Sequence, residues 1–190
     1  CVVWLPSPPP VPAKAGAEGT ALPNATLLSS GDDGKIYFWN IENRNLIKTI
    51  SGPPRSRYGS ISFSHDESLV AGTVYHPPIT GGKSGMFGLK KEAKKEKGPF
   101  LVHLWDISGE KPMRTFDGHS RPLTAVSFHP DNCFATSSTD CSVVVWEPEG
   151  PNYSTEKGWG AERGYPVASV AWSFDGRLAS GSRGYSVSVW

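Results

Sequence analysis

Thr139-Asp140-Cys141-Ser142-Val143-Val144-Val145-Trp146 decides the fold. A polar turn opening on Asp leads into a run that is apolar without alternation and ends in tryptophan. A β-branched run of that kind is a strand covered on both faces. The same shape occurs three more times, at Gly31-Asp32-Asp33-Gly34-Lys35-Ile36-Tyr37-Phe38-Trp39, Pro99-Phe100-Leu101-Val102-His103-Leu104-Trp105 and Gly184-Tyr185-Ser186-Val187-Ser188-Val189-Trp190. The four tryptophans stand 66, 41 and 44 residues apart. A period of about 40–45 residues predicts a repeat array in which each unit is one small sheet. Such a unit cannot bury its own apolar faces, so neighbours must stack.

Three further segments recur around each tryptophan strand. Ser60-Ile61-Ser62-Phe63, Ala125-Val126-Ser127-Phe128 and Ser169-Val170-Ala171-Trp172 alternate and end in a polar turn, and Cys1-Val2-Val3-Trp4 fits the same template. This is the pattern of a half-buried strand followed by a tight turn. A second strand follows at Thr26-Leu27-Leu28-Ser29-Ser30, at 68–73, at 133–137 and at 177–181. A fourth follows the tryptophan at 46–50 and 112–116. The expected units are blade 1 over 1–50, blade 2 over 59–116, blade 3 over 123–164 and blade 4 over 166–190. All 190 residues form one propeller segment in this reading. The first and last blades are incomplete, because Cys1 and Trp190 both fall within strands.

Blade 3 resembles a WD40 repeat. Gly118-His119 stands before its first strand, Asp131 closes that strand, Asp140 precedes Trp146 by six residues, and Glu147 follows it. Blade 1 has Trp39-Asn40, and blade 2 has the literal Trp105-Asp106. The resemblance implies an all-β, WD40-type β-propeller with four blades present, as part of a seven-blade ring. A closed ring of that size needs about 300 residues at this repeat length. It also implies a buried network of His119, Thr136 (or Ser138), Asp140 and Trp146. Asp33, Trp39, Trp105 and Trp190 stand at corresponding places in the other blades. Buried carboxylate and indole N–H groups both need partners, so the implied role is structural. Blade 2 has Gly52-Pro53 in place of Gly-His and no Asp before Trp105, and blade 4 has Gly184 in place of the Asp. Those two blades are expected to lack the full network.

Two insertions lengthen the plain repeat. The first, 8–19, is rich in proline and reads as a loop. It contains the minimal PxxP spacing, which is weak evidence for an SH3-type partner. The second, 76–98, contains Gly82-Lys83-Ser84, but Pro77 stands where a phosphate-binding loop requires its first glycine. Its end, Leu89-Lys90-Lys91-Glu92-Ala93-Lys94-Lys95-Glu96-Lys97, reads as a solvated basic arm. Strands alternate in direction, so the two arms should leave opposite ends of the blades. The Lys end also receives Arg55, Arg57, Tyr58, Arg121, Arg163, Tyr165, Arg183 and Tyr185. Arg and Tyr are enriched at binding hot spots, and Arg pairs bidentately with carboxylate or phosphate. The candidate partner-binding set is therefore Arg57, Tyr58, Arg121, Arg163, Tyr165, Arg183 and Tyr185 with Lys90, Lys91, Lys94 and Lys95.

The expected function is a non-catalytic scaffold for protein–protein interaction. The alternative is recognition of acidic or phosphorylated segments, or of nucleic acid, by the Arg/Lys-rich loop face. A net charge of +1 weighs against nucleic acid. No Ser–His–Asp set, carboxylate pair or metal-ligand spacing stands out, so no enzyme, cofactor or metal is expected. Three cysteines in no paired pattern, the want of a signal-like start and the want of a run of about 18 apolar residues predict an intracellular protein. An isolated segment of this kind is expected to self-associate through open edges and faces.

Overall fold

The computed structural model describes residues 2–4, 26–75, 100–149 and 164–190. The Pro-rich arm, the Lys-rich arm with Lys90, Lys91, Lys94 and Lys95, and Arg163 lie outside the described residues.

Among the described residues the strands number fourteen, in four antiparallel sheets. Sheet 1 contains β1 (Val2–Trp4), β2 (Thr26–Ser30), β3 (Lys35–Asn40) and β4 (Asn45–Ser51), in that order. Sheet 2 contains β5 (Arg57–Phe63), β6 (Leu69–Tyr75), β7 (Phe100–Asp106) and β8 (Arg114–His119). Sheet 3 contains β9 (Leu123–Phe128), β10 (Phe134–Ser138) and β11 (Val143–Trp146). Sheet 4 contains β12 (Val167–Trp172), β13 (Leu178–Ser182) and β14 (Val187–Val189). Gly118-His119 ends the last strand of sheet 2, so this dipeptide is built into one sheet and reaches into the next.

Registers align the repeats. Leu27 pairs with Trp39, Val70 with Trp105, and Phe134 with Trp146. Paired residues point to the same side of a sheet, and successive residues alternate sides. Each sheet therefore has two faces, and both are used. One core joins Leu28, Ile36 and Phe38 of sheet 1 to Ile61, Val70 and Trp105 of sheet 2. The next joins Ala71, Val102 and Leu104 of sheet 2 to Phe128, Phe134 and Trp146 of sheet 3. A third joins Ala135 and Val143 of sheet 3 to Val167, Val170 and Leu178 of sheet 4. The tryptophans of sheets 2 and 3 thus pack backward, onto the preceding sheet. The non-alternating run Val143-Val144-Val145-Trp146 is apolar because it serves two cores at once.

The end strands β5, β9 and β12 each leave one edge without a strand partner. Hydroxyls of the preceding sheet meet that edge. Ser60 Oγ accepts from Val126 N–H at 3.3 Å and Ser62 Oγ from Phe128 N–H at 3.3 Å. Ser127 Oγ accepts from Trp172 N–H at 2.9 Å. Thr124 Oγ1 donates to the Val167 carbonyl at 2.8 Å. Small hydroxyl residues on the solvent-side positions of these strands are therefore joints between sheets, which their alternation pattern alone does not reveal.

Candidate functional site

Sheets 2 and 3 are joined by a buried chain of hydrogen bonds. Trp146 Nε1–H donates to Thr136 Oγ1 at 2.7 Å. Thr136 Oγ1 lies 2.8 Å from His119 Nε2, and His119 Nδ1 lies 2.9 Å from Asp140 Oδ2. Ser138, the alternative to Thr136, instead bonds the Arg121 and Pro122 carbonyls at 3.0 Å each. One proton arrangement satisfies every member. The imidazole is neutral, its Nδ1–H donates to the carboxylate, and its Nε2 accepts from the Thr136 hydroxyl. Protonation of Nε2 would leave the Thr136 hydroxyl hydrogen without that acceptor. Burial lowers the His119 pKa, against the pull of Asp140, which agrees with the neutral form. Burial would raise the Asp140 carboxyl, but bonds from Ser142, His119 and Ser120 N–H outweigh it and hold the group below its usual range. The side chains of His119 and Asp140 are 1% and 9% exposed.

The equivalent places in the other sheets are filled differently. Trp39 Nε1–H donates to Ser29 Oγ at 2.9 Å, but Asp33 is exposed and receives the Tyr37 hydroxyl at 2.6 Å instead of a histidine. That hydroxyl lowers the Asp33 pKa. Trp190 is substantially exposed, unlike Trp105 and Trp146. In sheet 2, Gly72 stands where Thr136 stands in sheet 3. A Cβ there would lie 3.1 Å from Tyr58 Cδ1 and 3.2 Å from Trp105 Cζ3. The Tyr58 ring crosses the Trp105 ring at 5.1 Å and 74°, and Tyr58 Oη reaches His103 Nδ1 at 2.8 Å. The Trp105 indole N–H is buried and has no hydrogen-bond partner among the described residues. Gly52 leaves room for the tyrosine hydroxyl, because a Cβ there would sit 2.0 Å from it. A Tyr–His pair therefore replaces the longer network. Tyr58 was expected on the partner-binding face, and that expectation is corrected: it is a core residue. Burial pushes its phenol pKa up.

The rest of the expected face comes from the start of β5, the connections before β9 and β12, and the turn before β14. Arg57 pairs with Asp32 at 3.1 Å. Arg121 and Arg183 are exposed, and among the described residues neither guanidinium forms an ion pair. The backbone N–H of Arg183 is held by the Pro166 carbonyl at 2.9 Å, which fixes its turn. Tyr165 lies against Gly184, and Tyr185 is fully exposed. Tyr185 has φ 60°, at the register where Gly34 has 74° and Cys141 has 71°. A left-handed conformation costs a non-glycine residue roughly 1–2 kcal/mol. Tyr185→Gly is expected to raise stability by about 0.5 kcal/mol, after the ~0.4–1 kcal/mol of extra chain entropy that glycine frees. Denaturant unfolding measures this, and a loss of stability would contradict it. The opposite ends of the sheets carry Asp66, Glu67, Asp131 and Asp175, with Arg177 paired to Asp175. Among the described residues no three His, Cys, Asp or Glu side chains gather for a metal, and no helix is long and apolar enough to cross a membrane.

Four antiparallel sheets packed face to face, each tryptophan strand third in its sheet, define a β-propeller segment of the WD40 type. The chain carries WD40 repeats: the family described as "WD domain, G-beta repeat" matches residues 110–147 and 159–190. It is similar to the target of rapamycin complex subunit wat1 of Schizosaccharomyces pombe, with 30% identity over 129 residues, 66% of this chain and 33% of that protein. It is similar to human WD repeat-containing protein 36, with 27% identity over 72% of this chain and 13% of that protein. The chain thus spans a third or less of these two relatives. A chain in the crystal structure of the mitotic checkpoint complex has the same fold, with TM-score 0.63 and 18% identity over 87% of this chain and 45% of that one.

Proposed function

We propose that the chain is a non-catalytic protein-interaction scaffold whose turn face, centred on Arg121 and Arg183, binds acidic or phosphorylated segments of other proteins. The observation that carries this reading is the pair of exposed guanidiniums without an ion-pair partner among the described residues, beside the exposed Tyr165 and Tyr185. Arg57, Arg114 and Arg177 are already engaged, by Asp32, the Pro148 carbonyl and Asp175. Bidentate guanidinium–carboxylate or guanidinium–phosphate contacts supply charge-assisted bonds, and a neighbouring tyrosine adds rigid apolar area. A relative is a subunit of the target of rapamycin complex, and a chain of the same fold sits in the mitotic checkpoint complex, which supports a scaffold role in assemblies.

The test is titration of a carboxylate-rich peptide, and of its phosphorylated form, into the chain at rising salt. Affinity is expected to fall steeply with salt, because exposed charges are screened. Arg121→Glu combined with Arg183→Glu is expected to weaken binding at least a hundredfold, about 2.7 kcal/mol. Unchanged affinity would remove the proposal. Tighter binding to single-stranded nucleic acid than to the peptide would do so as well.

A further inference from the structure

Among the described residues no strand pairs with the outer edge of sheet 1. β4 is bonded to β3 on one side and has no strand on the other. Gly52 N–H donates to the Gly34 carbonyl at 3.0 Å, and the same register pairs Ser51 with Lys35, Ile50 with Ile36 and Thr49 with Tyr37. Antiparallel pairs alternate between bonded and non-bonded. Ile50 therefore turns its N–H and carbonyl toward β3, while Thr49 and Ser51 turn theirs outward.

A groove of about 800 Å³ opens beside this edge. Thr49, Ser51 and the Pro53-Pro54 corner form one wall, and Pro112 of the β7–β8 connection and Thr115 of β8 form the other. The walls are tied to each other. Lys48 Nζ donates to the Gly109 carbonyl at 3.4 Å and also to the Ile107 carbonyl, which fastens β4 to the turn after β7. The Pro53 carbonyl accepts from Ser56 N–H at 3.1 Å, which closes the corner. Apolar side chains continue the walls: Ile47, before Lys48, is 39% exposed, and Met113, after Pro112, is 56% exposed. Glu110 and Lys111 bring one charge of each sign. The sheets stack face to face, so a further sheet at either end of the array would meet a face of sheet 1 or sheet 4 and not this edge.

We infer that this edge and groove form a second peptide site, which takes an uncharged extended segment of another protein as a fifth strand of sheet 1. The outward N–H and carbonyl groups of Thr49 and Ser51 match the repeat of an extended backbone. Every second side chain of the added strand faces the groove, so the segment carries apolar residues at alternate positions, against the prolines. Walls already fastened together lower the ordering cost of binding. The charges at the groove cancel, so binding there is insensitive to salt, unlike binding at the arginine turn face.

The probe is an end-capped hexapeptide of alternating valine and threonine, titrated into the chain while amide hydrogen exchange is followed residue by residue. The amides of Thr49 and Ser51 are expected to exchange freely in the chain alone and roughly tenfold more slowly with peptide bound. Affinity is expected to be the same at low and high salt, and the same in the Arg121→Glu/Arg183→Glu chain. Thr49→Pro removes one outward N–H and none of the bonds to β3. It is expected to keep the melting temperature and to weaken binding roughly thirtyfold. If that variant does not fold, Thr115→Trp fills the groove from an exposed position on the opposite wall and is expected to weaken binding as much. Thr49 and Ser51 amides that exchange slowly without peptide overturn the inference, because the edge would already be covered. So does a peptide that fails to bind, or that protects other amides instead. A folded Thr49→Pro or Thr115→Trp chain that binds normally overturns it too.

Discussion

His119→Ala is expected to lower the unfolding free energy by about 3 kcal/mol, since it leaves Thr136 and Asp140 buried without their shared partner. That is a large share of the ~5–15 kcal/mol that holds a domain folded. The effect is concentrated between sheets 2 and 3, because His119 belongs to β8 while Thr136, Asp140 and Trp146 belong to sheet 3. The neutral imidazole also gives the joint a pH dependence. The folded-state pKa of His119 lies below the ordinary 6.5, so the unfolded chain takes up this proton first. Stability is full above about pH 6.5 and falls as the pH drops through the folded-state value. Asp140, held below 3.8 in the fold, adds a further loss at lower pH. His119→Gln removes the first of these titrations. Its unfolding free energy is expected to be flatter than wild type between pH 6.5 and 4, and equal slopes would show that His119 is not buried in its neutral form.

Tyr58→Ala is expected to cost about 3–5 kcal/mol, the range for removing a buried aromatic. The loss follows from the position of its ring between sheets 1 and 2, over Gly72 and edge-on to Trp105. Tyr58→Phe keeps the ring and removes only the bond to His103, so it is expected to cost about 1–2 kcal/mol. The ratio of the two, read from chemical denaturation, separates packing from hydrogen bonding. A Tyr58→Ala chain as stable as Tyr58→Phe would mean the ring is not packed in this joint.

Much of this architecture is legible in the sequence, because the signals are periodic. The tryptophan run and the alternating strand before it recur in the same order in every unit, at a plain spacing of 41–44 residues that an insertion stretches to 66, and that order gives the order of the sheets. The content of each repeat is harder to read. Gly52-Pro53 reads as a loss from a network, and nothing local to it or to Gly72 shows that Tyr58 fills the space at both glycines. That filling joins residues 45 positions apart, Tyr58 and His103, which only the register of β5, β6 and β7 brings together. The same limit misplaced Tyr58 on the surface, because its neighbour Arg57 does lie there, paired with Asp32. Ser60, Ser62 and Ser127 look like solvent-facing strand residues until the next sheet presents its free N–H groups to them. The exposure of Arg121, Arg183 and Tyr185 is legible because turns expose what they carry.

In the proposed reading, recognition resides on the turns and stability in the buried joints. The most direct measurement compares peptide affinity and melting temperature in two chains, Arg121→Glu/Arg183→Glu and His119→Gln. The arginine variant is expected to lose at least a hundredfold in affinity with an unchanged melting temperature, about 2.7 kcal/mol of binding alone. The histidine variant is expected to melt earlier and bind as tightly as wild type at a temperature where it is folded. An arginine variant that binds normally, or a folded histidine variant that does not bind, would contradict the claim.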